Sequence, residues 1–106
     1  MDSNAKIIAL TEILAADPTN AFARYGLAME HISQGNTDTA LTEFTTLVHH
    51  SPDYVPAYQM SAQTLAKLGR TDEAITRLKD GLAAAQRTNN AHAAGEMQTL
   101  LDDLRT

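Results

Sequence analysis

Residues 35–42, Gly-Asn-Thr-Asp-Thr-Ala-Leu-Thr, return as residues 69–76, Gly-Arg-Thr-Asp-Glu-Ala-Ile-Thr. The spacing is 34 residues, and between the two full copies the same offset aligns eight identities: Pro18/Pro52, Ala23/Ala57, Ala28/Ala62, Gly35/Gly69, Thr37/Thr71, Asp38/Asp72, Ala40/Ala74 and Thr42/Thr76. Apolar positions follow it too. Ile7, Leu41 and Ile75 form one set, Leu10, Phe44 and Leu78 a second, and Leu14, Val48 and Leu82 a third, so a partial copy precedes the two full ones. Chance similarity between helical segments of biased composition would not also place Gly and Pro in register with the apolar pattern.

Within each copy the pattern has helical spacing. Residues 21–34 carry Phe22, Tyr25, Ala28, Met29 and Ile32 at intervals of three and four. Gly35-Asn36 stops that helix, because glycine tolerates the left-handed conformation of a helix end. Asn36 or Thr37 can cap the next one, with Asp38 favourable in its first turn. Leu41, Phe44, Leu47 and Val48 continue it, and His49-His50-Ser51-Pro52 ends it, since the residue before proline avoids the helical region. The second copy predicts a helix from about Val55 to Leu68, a turn at Gly69-Arg70 and a helix from about Thr71 to Arg87. Asn4 to Ala16 forms an earlier helix with Ile7, Leu10, Ile13 and Leu14 on one face, stopped by Asp17-Pro18. Thr88-Asn89-Asn90 turns into a last one, with Ala93, Met97, Leu100, Leu101 and Leu104 on one face. The expectation is an all-α chain of six helices.

This pattern resembles the tetratricopeptide repeat family, whose units carry an aromatic, Leu-Gly and Tyr in the first helix, Ala and then an aromatic four residues on in the second, and a closing Pro. The first unit supplies Leu27-Ala28, His31, Ala40, Phe44 and Pro52. The second supplies Tyr58, Ala62, Leu65, Ala74, Leu78 and the small Gly81. Three positions depart: Arg24 stands where a large apolar residue is usual, Ser61 replaces the Leu, and Gln86 replaces the closing Pro, so the helix ending near Arg87 is expected to run longer than its counterpart. The resemblance covers residues 5–87 and extends weakly into the last helix. It implies a short right-handed α-solenoid of antiparallel helix pairs, a single domain with a flanking helix at 4–18, units at 21–54 and 55–88, and a capping helix at 89–105. Small residues at 40, 74 and 81 have a physical reason, since helices approach closely only where a side chain leaves room.

Composition narrows the function. The chain has 106 residues, a net charge of −5 and no cysteine. Its eight basic residues form no run, which argues against nucleic acid and anionic membrane surfaces as partners. Without thiols there is no disulfide framework, and a reducing compartment is compatible. The start, Met1 to Lys6, lacks a basic segment followed by a long apolar stretch, so neither a signal peptide nor a membrane span is expected, and the reading is cytoplasmic.

The titratable residues make no reacting set. His49 and His50 are adjacent and diverge by about 100° around a helix, which disfavours their sharing one ion; a helix C-terminus favours histidine on its own account. His31 falls at the family's packing Tyr position and is expected to be a partly buried ring, and His92 has no assigned role. Asp72-Glu73 sits in a first helical turn and Asp102-Asp103 on a polar face, neither with a partner acid, base or nucleophile. No phosphate loop or nucleophile elbow is present. No catalytic residue, metal or cofactor is therefore expected.

In the family, the first helices of the units line a concave groove that receives a peptide or partner helix. By position, this groove would show Phe22, Tyr25, Gly26, Met29 and Ser33 from the first unit and Gln59, Met60, Gln63 and Lys67 from the second. Aromatic and Met side chains suit a binding surface. The alternative is that Phe22, Tyr25 and Met29 are core residues beneath the N-terminal helix. One family subtype grips a ligand's terminal carboxylate with Lys and Asn on these helices. Tyr25 and Met29 stand at those first-unit positions, which disfavours a chaperone-tail clamp. The expected function is a protein-binding module, and the other possibility is a self-associating scaffold, a homodimer without a separate ligand groove.

Overall fold

The computed structural model describes residues 2–106. The described residues form six helices: α1 Ser3–Ala16, α2 Ala21–Ser33, α3 Thr37–His50, α4 Val55–Lys67, α5 Thr71–Arg87 and α6 Ala91–Leu104. There is no strand among the described residues. Contacts divide the chain into two compact units, one ending at Ser51 with α1–α3 and one beginning at Pro52 with α4–α6.

Three helices end in the same way. Gly35 and Gly69 take φ of +80° and +75°, and Asn89 takes +56°. After each, the next amide reaches back to close the helix end: Asn36 N–H to His31 O at 2.8 Å, Arg70 N–H to Leu65 O at 2.9 Å and Asn90 N–H to Ala85 O at 2.8 Å. This six-residue closure needs a left-handed residue, which glycine supplies without strain and asparagine tolerates. The two pre-proline helices instead end in extended backbone, Asp17 at φ −140° and Ser51 at φ −133°. Starts are capped by Asp2, Asn20 and Asn90, whose side chains accept from the backbone N–H three residues on. Asn36 occupies the cap position of α3 but makes no such bond.

In the first unit, α2 packs against α1 on one side and α3 on the other. Leu14, Ala23 and Leu27, with Ile7 and Leu10 against them, form the α1–α2 contact. Ala28, Ala40, Phe44 and Leu47 are buried as well. In the second unit, α5 packs against α4 and α6. Its core comprises Ala57, Tyr58, Ala62 and Leu65 of α4, Ala74, Leu78, Ala84 and Ala85 of α5, and Ala93, Met97 and Leu101 of α6. A Cβ built on Gly81 would lie 2.7 Å from Tyr58 Cβ and 2.7 Å from Met97 Sδ, so α5 meets both neighbours where it has no side chain.

The departures from the family pattern have local explanations. Arg24 donates to Glu43 Oε2 at 2.7 Å and to the carbonyl of Pro18 at 2.9 Å. Tyr58, its counterpart one repeat later, donates to the carbonyl of Pro52 at 2.7 Å. A guanidinium and a phenol thus fasten equivalent turns. Buried Ser61 satisfies its hydroxyl on Tyr58 O at 3.2 Å. α5 runs 17 residues against 14 for α3, as the absence of a proline at Gln86 allows.

Candidate functional site

The geometry of α2 decides which of its residues are available. Successive residues turn by about 100°, so Met29 and Ser33 lie within about 20° of Phe22, with Gly26 about 40° to one side and Tyr25 about 60° to the other. α1 takes the Gly26 flank: Leu10 lies 3.4 Å from where a Gly26 Cβ would stand, Ala23 and Leu27 share its core, and Glu30 holds Lys6 at 3.6 Å and the Ser3 hydroxyl at 2.7 Å. α3 takes the Tyr25 flank, through Arg24–Glu43 and through the ring of Phe44, 6.0 Å from the Tyr25 ring at 56°. Between them lies a face headed by Phe22, which is 79% exposed. Tyr25, Gly26 and Met29 are half-buried and Ser33 is exposed. Phe22 is therefore not covered by α1, whereas Gly26 abuts it.

On α4 the corresponding residues are Pro56, Gln59, Met60, Gln63 and Lys67. Pro56 and Lys67 are exposed, and Gln59, Met60 and Gln63 are half-buried. This face offers two amides and one thioether and no aromatic ring. The large apolar anchor belongs to the first unit alone.

Exposed apolar side chains occur elsewhere, and sequence reasoning did not single them out as such. Ile8 is 61% and Ile13 44% exposed on α1. The sequence predicts Ile13 on one face with Ile7, Leu10 and Leu14; Leu14 is buried there, whereas Ile13 stands in water. In the second unit, Asp53, Tyr54, Pro56, Asn89 and His92 line an open depression. His92 Nε2 lies 2.7 Å from Glu96 Oε1, both exposed.

The histidines do not converge. His49 and His50 are exposed, with rings 5.6 Å apart at 71°. His31 is half-buried, and its Nδ1 is enclosed without a hydrogen-bond partner. Among the described residues, no three His, Asp or Glu side chains gather as a metal would require, and no helix is long and apolar enough to cross a membrane. Burial pushes the Tyr58 phenol above its ordinary value, while the Asp53 carboxylate holds the Arg87 guanidinium more firmly protonated. These are structural contacts and bring together no acid, base and nucleophile.

The tetratricopeptide repeat model matches residues 31–95, more than half of the chain. The chain belongs to the tetratricopeptide repeat family. A tetratricopeptide repeat domain protein from Salinibacter ruber, solved in solution, is 34% identical, with 83% of this chain and 89% of that one covered and a TM-score of 0.78. A Bordetella parapertussis protein is 26% identical at a TM-score of 0.77, covering 93% and 86%. The TPR2B domain of yeast Sti1, solved as a complex with pHsp70, has a TM-score of 0.85 over 93% of this chain and 79% of its own, at 19% identity, a likeness of fold. No curated protein matches. The chain thus has the fold of a family of protein-interaction modules.

Proposed function

We propose that this tetratricopeptide protein is a non-catalytic, cytoplasmic binding module that takes up a peptide or helix of another protein. The residues involved are Phe22, Tyr25 and Met29 on α2 and Gln59, Met60, Gln63 and Lys67 on α4, at the positions that line the concave side of the family's arrays. The observation that carries this reading is the exposure of Phe22 at the head of an α2 face that neither α1 nor α3 covers. An aromatic ring left in water beside a half-buried tyrosine and methionine is the composition of an interface anchor. The yeast Sti1 complex supports a protein as partner, but Tyr25 and Met29 provide no cation or amide to grip a terminal carboxylate, so the ligand differs from a chaperone tail.

The experiment is peptide selection against the whole chain, followed by chemical-shift mapping of the winners. Shifts concentrated on Phe22, Tyr25 and Met29, with affinity lost in Phe22→Ala, support the reading. Winners that perturb only other surfaces refute it. The exposure of Ile8 and Ile13 favours a second reading, self-association through α1 as a homodimer. Light scattering decides it, since a monomer at high concentration removes that alternative.

A further inference from the structure

The charge of the chain is unevenly divided. The unit ending at Ser51 has two cations, Lys6 and Arg24, against six carboxylates, Asp2, Glu12, Asp17, Glu30, Asp38 and Glu43, a net of −4 with histidines neutral. The rest of the chain has six cations against seven carboxylates, a net of −1. Both cations of the first unit are already engaged inside it. Lys6 lies 3.6 Å from Glu30, and Arg24 lies 2.7 Å from Glu43 with a second nitrogen on Pro18 O. The open face of α2 holds no charged side chain. Asp17 closes α1 in the turn that feeds Phe22, where its carboxylate accepts from the Thr19 hydroxyl at 3.4 Å. Glu30, which follows Met29 on the α1 side, is already held by Lys6 and the Ser3 hydroxyl, so the negative charge of this unit rests on its net balance and not on Glu30.

The result is an apolar strip on a unit of net negative charge. Phe22 and Met29 are seven residues apart, about 10 Å along the axis, which matches the i, i+7 anchors of a helix laid alongside. Long-range fields of this kind select partners of opposite sign and speed their encounter.

We propose that the segment docking on α2 is a cationic amphipathic helix, apolar along one side and rich in Lys and Arg along its borders. The inference rests on the reading of the α2 face given above and adds the chemistry of its partner. It is the reverse of an acidic tail: such a ligand would meet four units of net like charge on this unit, where Lys6 and Arg24 are already held by carboxylates, and the one cation among the proposed site residues is Lys67 on α4.

Two synthetic helical peptides with the same Leu/Phe stripe test it, one with Lys on its polar side and one with Glu. Each is titrated by fluorescence anisotropy into the full chain and into Phe22→Ala, whose exposed side chain can be removed without unfolding. The Lys peptide is expected to bind at least about tenfold more tightly. It should weaken steeply between about 0.1 M and 1 M salt, as the screening length falls from about 10 Å to about 3 Å, and lose most of its affinity in Phe22→Ala. Equal or tighter Phe22-dependent binding of the Glu peptide overturns the charge inference and leaves the docking face standing. Lys-peptide binding that Phe22→Ala does not weaken shows unspecific attraction and also overturns it. If neither peptide binds, the α2 face fails as a docking site and the inference falls with it.

Discussion

Replacing Gly81 by alanine isolates the closest helix contact in the second unit. In a solvent-facing helix the change would gain about 1 kcal/mol, because alanine restricts the unfolded chain and solvates less backbone. Here the new methyl would stand 2.7 Å from Tyr58 Cβ and Met97 Sδ and 3.3 Å from Tyr58 Cγ. The methionine can swing aside. The Tyr58 Cβ cannot, being one bond from the α4 backbone, so α4 and α5 must separate. Overpacking of this kind costs about 1–3 kcal/mol, and with an immovable neighbour the upper part of that range applies. The net loss is about 1–2 kcal/mol, or roughly 5–15 °C in Tm. Gly95 is the internal control. It also lies within a helix, but nothing stands within 4 Å of its Cβ position, so Gly95→Ala should gain up to about 1 kcal/mol and raise Tm by a few degrees. Thermal melts followed by circular dichroism, with urea titrations for the free energies, read both. If the two variants shift in the same direction, the close approach of α5 to Tyr58 is wrong.

Further expectations follow from burial. Ala40 and Ala74 are both fully buried, so Ala40→Arg or Ala74→Arg should cost about 3 kcal/mol or more by forcing a charged chain into a helix contact; a melt within a few degrees of wild type would refute the packing. Truncation after Arg87 removes Ala93, Met97 and Leu101 from α5, and the product should aggregate or melt early in a light-scattering melt. Tyr58→Phe should cost about 1 kcal/mol by leaving the Pro52 carbonyl one donor short. It should also remove an alkaline dependence: the raised phenol pKa adds stability below the unfolded value of about 10 that is lost as pH rises through the folded value, so wild type and variant should converge in urea titrations above that pH. Tyr25→Ser with Met29→Gln should lower both affinity and Tm, because Tyr25 also packs on Phe44, whereas Phe22→Ala should lower affinity alone; equal melting losses would place Phe22 in the core.

The helices were legible because their ends are written in backbone chemistry. Gly35, Gly69, Pro18 and Pro52 each forbid or permit one conformation irrespective of surroundings, and the helix ends fall beside them. Asn89 serves as a third glycine-like stop because its short amide tolerates the left-handed region. Arg24 was not legible as a structural residue, since a comparison of apolar character sees it as a defect; only geometry shows that it and Tyr58 offer a donor to equivalent carbonyls. The candidate site was legible as a set of positions on one helical stripe. Which of them would be open was not, because that depends on where α1 lies on α2, with Leu10 and Leu14 against Ala23, Gly26 and Leu27. The same packing leaves Ile13 in water while Leu47, at the matching place in the repeat, is enclosed.

The added turn of α5 has a dynamic consequence. It carries Arg87 back to the beginning of its own unit, where it donates to Asp53 Oδ1 at 2.7 Å and shares the Pro52 carbonyl with Tyr58. Two segments 34 residues apart in the chain are clasped at one oxygen, so neither the first turn of α4 nor the last of α5 frays alone. Their amides should exchange with deuterium as one cooperative group, slower than the equally terminal amides at the end of α3, where Ser51-Pro52 stops the helix before any residue can reach back. A helix stop has been traded for a latch.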